Sequence, residues 1–111
     1  MSGIDLIAAE RQRQIDAEGW TVEHDDEHSR NELAWAAASY AIPPARGPLY
    51  EGEHPTYIYA DTGLPITWPW DAEWWNPSPE DRVRELVKAG ALVAAEIDRL
   101  QRLAGRGVRE P

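Results

Sequence analysis

The densest polar cluster in the chain is Gly19-Trp20-Thr21-Val22-Glu23-His24-Asp25-Asp26-Glu27-His28. His24 and His28 stand four apart, which on a helix would put both imidazoles on one side, the spacing that zinc hydrolases use. Asp25 occupies the place where those motifs carry Glu, and no apolar helical pattern surrounds the pair. Asp25 and Asp26, with Glu27, are suited instead to Mg²⁺, a hard ion that takes carboxylate oxygen and keeps several waters. The same run also reads as an acidic loop entering a helix N-terminus, where negative charge is favoured. Both readings stay open on the residues alone.

Three further carboxylates invite attention: Glu32, Glu85 and Glu96. Glu85 and Glu96 share one flank of a helix, but three turns separate them by roughly 16 Å, too far to hold one ion. Glu85 could meet Glu32 across a helix pair, although each also has a local partner to hand. Trp68-Pro69-Trp70 and Trp74-Trp75 form the second cluster. Indole faces either stack on a planar ligand or close the open end of a helical core, and the N–H wants a partner in both cases.

Positioning these residues requires three helices and one irregular insert. The first helix is expected over about residues 4–18, with Ser2 and Asp5 as a capping box and Gly19 as the stop. Its Glu10-Arg11-Gln12-Arg13-Gln14 run reads as a solvated, internally paired surface. The second helix is expected over about 30–41, with Ser29 and Glu32 as a second capping box and Pro43-Pro44 as the breaker. Being apolar on nearly every side, it is expected to lie buried among its neighbours.

The third helix is expected over about 79–104, with Ser78 as N-cap and Pro79 in the first helical position. Val83, Leu86, Val87, Gly90, Val93, Ala94, Ile97 and Leu100 trace one stripe at helical spacing, which predicts the core face. Gly90 in mid-helix implies close approach of another helix, with the Ala-rich second helix the natural neighbour. Eight of the nine prolines fall between Pro43 and Pro79, and the insert 43–77 separates the second helix from the third. Within it Thr56 to Trp68, turning at Asp61-Thr62-Gly63, predicts a small β-hairpin with Pro65 on an edge. The fold expected is mainly α, a single domain over 1–111.

Composition narrows the function classes. The 111 residues carry 20 acids and 11 bases, a formal charge of −9, which disfavours direct binding to nucleic acid because a polyanion is repelled. No stretch reaches the roughly twenty apolar residues of a bilayer span. Cys is absent, which removes disulfides, Cys–zinc sites and thiol catalysis. The N-terminal stretch lacks a basic region followed by an apolar run, so the expected location is cytoplasmic. Phe is absent while Trp occurs six times, four of them between Trp68 and Trp75. The excess acidity sits before the second helix and in the insert, since Glu80 to Arg102 holds five acids and five bases.

The run Glu10 to Gln14 followed by Gly19-Trp20 and the acidic connector resembles the opening of small phage and prophage proteins. Some of those belong to the MazG-like all-α nucleotide pyrophosphohydrolases. The stretch from Arg84 to Ile97 is similar to their later helix, an Ala/Val run entered by Glu-Leu. The resemblance covers both helical ends and not the Trp-rich insert. It implies Mg²⁺ held by Glu-x-x-Glu on one helix and Glu-x-x-Asp on another, and cleavage of a nucleoside triphosphate to monophosphate and pyrophosphate. Glu32 matches the first acid and Glu85 the third, while Trp35 and Lys88 stand at the other two places.

Two functions are therefore expected as alternatives. One is binding of a nucleotide or nucleotide-derived small molecule, with Trp68, Trp70 or Trp74 on the base and Arg11 or Arg13 on phosphate. Asp25, Asp26, Glu32 and Glu85 would hold Mg²⁺, and pyrophosphohydrolase activity would follow from it. The other is a non-enzymatic decoy, an acidic protein occupying the basic groove of a host nucleic-acid-handling or defence protein. A thin three-helix core also points to a homo-oligomer, joined through the exposed side of the second helix.

Overall fold

A computed structural model describes residues 1–43, 58–59 and 62–105. The chain order is α1 (Gly3–Glu18), α2 (Val22–Asp26), α3 (Glu32–Ala41), a short 3₁₀ turn (Ala72–Trp74) and α4 (Arg82–Gly105). The mainly helical character expected from the sequence is present. Among the described residues no helix is long and apolar enough to cross a membrane.

α1 begins and ends as its local sequence dictates. Ser2 Oγ accepts from the Asp5 N–H while an Asp5 carboxylate oxygen accepts from the Ser2 N–H, both at 3.1 Å. Two of the orphan donors at the helix start are satisfied in this way. Gly19 stops the helix in the left-handed region at φ +69°, and the Trp20 N–H returns to the Gln14 carbonyl at 3.0 Å.

The connector, which the residues alone left open between helix and loop, is partly helical. It forms α2, one and a half turns capped by Thr21, whose Oγ1 accepts from the His24 N–H at 3.3 Å. Threonine is a good N-cap on its own, and the acidic run beyond it suits the helix's positive end.

The second capping box does not form. Asn31 precedes α3 at φ +64° with no side-chain cap, and the Glu32 carboxylate accepts instead from the Arg30 N–H at 2.5 Å. α3 also buries one face, not all of them. Leu33, Ala36, Ala37 and Tyr40 enter the core while Trp35 stays 51 % exposed. Arg82 closes the other end, donating Nη1 to the Tyr40 and Ile42 carbonyls, both at 3.0 Å, and Nη2 to that of Ala41. One guanidinium thus serves three carbonyls that a helix end leaves without partners. Arg82→Met should cost about 2 kcal/mol, measured as a lower urea midpoint with an unchanged slope.

α4 starts three residues later than expected. Its cap is Asp81, which accepts from the Arg84 N–H at 3.0 Å, and Ser78 begins the preceding turn. The larger correction concerns its faces. The residues turned inward are Ala89, Ala91, Leu92 and Ala95 together with Glu85, Lys88, Glu96 and Arg99. Five members of the expected core stripe face outward: Val83 (62 %), Leu86 (48 %), Val93 (46 %), Ile97 (51 %) and Leu100 (40 %). Small side chains let α4 lie close on α3; of the buried charges Glu85 pairs with Arg82 and Glu96 with Arg99 at 2.6 Å, while Lys88 donates to the Asn76 carbonyl. Gly90 does mark a close approach, but of α1. A Cβ there would stand 2.5 Å from Ile7 Cδ1.

The core is therefore thin: Leu33, Ala36, Ala37 and Tyr40 from α3 against Ala89, Leu92 and Ala95 from α4, with Trp20, Trp68, Trp70 and Trp75 packed on it. The expected hairpin is not supported. Among the described residues there is no strand, only an isolated antiparallel bridge between Ile58 and Pro65. Gly63 does supply a turn at φ +72°, yet Pro65 has no N–H with which to extend a ladder. Thr56, Tyr57, Ala60 and Asp61 lie outside the described residues.

Candidate functional site

An open cleft of about 1090 Å³ lies between α1, α2, the start of α4 and the Trp-rich segment. Its aromatic wall is a ladder of rings. Trp20 stacks on His24 at 5.3 Å between centroids, His24 meets His28 edge-on at 4.9 Å, and His28 meets Trp70 at 5.1 Å. The ladder is built by spacing, because α2 sets His24 one turn beyond its cap and the turn that follows, closed by the His28 N–H on the Asp25 carbonyl at 3.1 Å, brings His28 beside it. Carboxylates hold both imidazoles at Nδ1: Asp25 on His24 at 3.0 Å and Glu32 on His28 at 3.3 Å. Such contacts fix ring orientation and leave the second ring nitrogen for a ligand.

Through Trp70 the ladder continues into an aromatic box. Tyr40 stacks on Trp75 at 4.7 Å, and Trp68 meets Tyr40, Trp70 and Trp75 edge-on at 5.7, 5.3 and 4.9 Å. These are favourable quadrupole arrangements. Trp68 Nε1 donates to the Asp71 carbonyl at 3.0 Å, so its polar edge is satisfied. Trp74 stands on the rim and is 66 % exposed.

The floor is ionic. Glu10, on α1 and only 3 % exposed, accepts from Arg13 Nε at 2.8 Å, Arg13 Nη2 at 2.9 Å and Arg84 Nη1 at 2.6 Å. Burial alone would raise its pKa, but the hydrogen bonds and charges of Arg13 and Arg84 prevail and hold the carboxyl down to about 2. Glu10 and Glu18 in turn push Arg13 further up, against its own burial. Gln14 Nε2 approaches Glu10 at 3.4 Å, and its Oε1 is buried with no hydrogen-bond partner among the described residues. Lys88 Nζ donates to the Asn76 carbonyl at 2.9 Å and lies 5.3 Å from the Tyr40 ring centroid. Burial, with repulsion from Arg84, holds this ammonium below the usual lysine range.

Of the residues singled out from the sequence, His24, His28, Trp68, Trp70, Trp74, Trp75 and Arg13 line this cleft. Arg11 does not line it, because its Nη2 is committed to the fully buried Asp25. The four acids assigned to Mg²⁺ are dispersed over separate pairs. Asp25 holds Arg11 and His24, and Asp26 holds Arg102 at 2.9 Å. Glu32 holds His28 and the Arg30 N–H, and Glu85 holds Arg82 and the Ser78 N–H, each of the latter two at 3.3 Å. Among the described residues no three His, Asp or Glu side chains form a group placed to hold an ion. The donor set does not fit one shared Mg²⁺.

The sequence reading missed Glu10, Gln14, Trp20 and Lys88 as cleft residues. Glu10, Gln14 and Glu18 recur every four residues, a one-face signal on a helix. That signal was outweighed by the charged character of the run, which reads as surface. Tyr40 carried no local signal at all, since only tertiary packing brings it to the cleft, whereas Trp75 belongs to the Trp cluster already marked by residue type. The chain matches none of the protein-family models, curated proteins or solved structures compared with it.

Proposed function

We propose that this protein binds a nucleotide or nucleotide-derived small molecule in the Trp- and His-lined cleft. The observation that carries the reading is the pairing of an aromatic wall with an ionic floor in one cleft of about 1090 Å³. That volume lies just above the roughly 300–1,000 Å³ of small-molecule sites. A planar base has π faces to offer Trp74 at the rim and Trp70 within. Arg13, Lys88 and the imidazoles supply donors for an anionic group, and the Gln14 carbonyl accepts an N–H. Binding is proposed here without hydrolysis, because the carboxylates that resemble a pyrophosphohydrolase set are engaged elsewhere. The decoy alternative draws less support, since Glu10, Asp25, Asp26 and Glu85 are neutralised by arginines of the same chain.

Calorimetric titration with a panel of purine and pyrimidine nucleotides, with and without Mg²⁺, tests the reading. Base–aromatic stacking contributes about 1–3 kcal/mol per base, so Trp74→Ala should weaken the best ligand roughly 5- to 150-fold. The variant should keep its melting temperature, because this indole is mostly exposed. No binding by any nucleotide, or an unchanged Kd in both Trp74→Ala and Trp70→Ala, would overturn it.

A further inference from the structure

The outward face of α4 is apolar, regular and uncharged. Residues 83, 86, 93, 97, 100 and 104 are Val, Leu, Val, Ile, Leu and Ala, all exposed, and Gly90, covered by Ile7 of α1, completes their alternate three-and-four spacing. That is the a/d repeat of a helix-pairing seam, sustained over three heptads. On the helical wheel, positions 86, 93, 97 and 100 fall on the arc between Ala89, which packs on α3, and Gly90, which packs on Ile7 of α1. The seam thus runs along a groove with α1 on one side and α3 on the other. Ile4 of α1, one turn before Ile7, is 81 % exposed and adds apolar surface on that side. An isolated chain rarely leaves so long an apolar stripe in water, and such stripes mark interaction sites.

We propose that a second copy of this chain covers the seam, the two α4 helices pairing antiparallel about a two-fold axis near the middle of the stripe. Three observations favour a second copy. The a/d pattern is self-complementary, as an isologous two-fold interface requires. No position in the seam carries a charge, so two chains of net charge −9 meet there without apposing like charges. The footprint is also adequate. The 24 residues of α4 extend about 36 Å, and groove plus shoulders span about 20 Å at ordinary helix spacing. The product, about 700 Å² per protomer, approaches the ~800 Å² per partner of a standard stable interface. Antiparallel pairing opposes the two helix dipoles, where parallel pairing would align them. This surface lies on α4, not on the exposed side of the second helix favoured by the sequence, and the cleft proposal does not depend on it.

The chain has no cysteine, which makes the test direct. Light scattering should give twice the 12.5 kDa of one chain, and Ile97→Glu should return it to 12.5 kDa with helical circular dichroism retained. Should Ile97→Glu fail to fold, single cysteines decide the matter without it. Oxidised Val93→Cys, at the centre of the stripe, should run as a covalent dimer. Val83→Cys, at one end, and Asp98→Cys, off the stripe, should stay monomeric on a denaturing gel. A wild-type chain that is monomeric at every concentration overturns the proposal. A dimer that survives Ile97→Glu, or that cross-links through Asp98→Cys or Val83→Cys in preference to Val93→Cys, overturns it as well.

Discussion

Replacing Glu10 by alanine should lower stability by about 3–5 kcal/mol, the usual cost of breaking a buried ion pair from one side. The carboxylate is nearly inaccessible and joins Arg13 of its own helix to Arg84 of α4. Without it two guanidinium groups face each other across the α1–α4 contact with no acceptor between them. Glu10→Gln keeps shape and removes the charge, so it isolates the electrostatic part. The folded pKa, about 2, lies below the unfolded 4.5. The stabilisation is therefore complete above pH 4.5 and lost as pH falls towards and through 2. A shift of that size corresponds to roughly 3 kcal/mol. Urea unfolding at a series of pH values should show wild type and Glu10→Gln far apart at neutral pH and converging as pH approaches 2. A gap that stays constant with pH would refute the assignment.

The second large effect is expected at Asp25, which is fully buried and accepts from Arg11 while pairing with His24 at 3.0 Å. Arg11 Nε and Nη1 are already buried without partners among the described residues. Asp25→Ala deprives the same guanidinium of its carboxylate, at a cost again of about 3–5 kcal/mol. Removing both charges should be milder than removing one, because an apolar pair of similar volume avoids the desolvation penalty. Asp25→Ala with Arg11→Met is thus expected to recover much of the loss. A single variant that unfolds within 1 kcal/mol of wild type, by the same urea measurement, would show that the pair is peripheral. His24 loses its Nδ1 partner in Asp25→Ala, so ligand affinity at the aromatic wall should fall as well.

Legibility followed the range of the interaction involved. The ends of α1 were readable because Ser2, Asp5 and Gly19 act on backbone groups three to five residues away. The cap at Ser29 was misread for a related reason. Its neighbours Asn31 and Glu32 offer competing local bonds, and the Arg30 N–H took the carboxylate. Within the cleft, Trp68, Trp70 and Trp74 stood out by type and density. Glu10 and Gln14 did not, because a charged run on a helix is ordinarily surface. They became interior only when Arg84, seventy-four residues after Glu10, arrived to pair with it.

The sequence by itself determined the helical periods, the place of the Trp cluster, the excess of acid and the existence of an apolar stripe on α4. These are properties of composition and of spacing along one chain. Only the tertiary structure decided which side of α4 is inside. Periodicity defines faces but not partners, and here the small Ala face packs on α3 while the larger aliphatic face turns outward. The same packing decided that the candidate magnesium ligands are dispersed, three on arginines and Glu32 on His28, and that two histidines join two tryptophans in one wall. Long-range pairing of charges and rings, absent from any local window, is the physical reason for each.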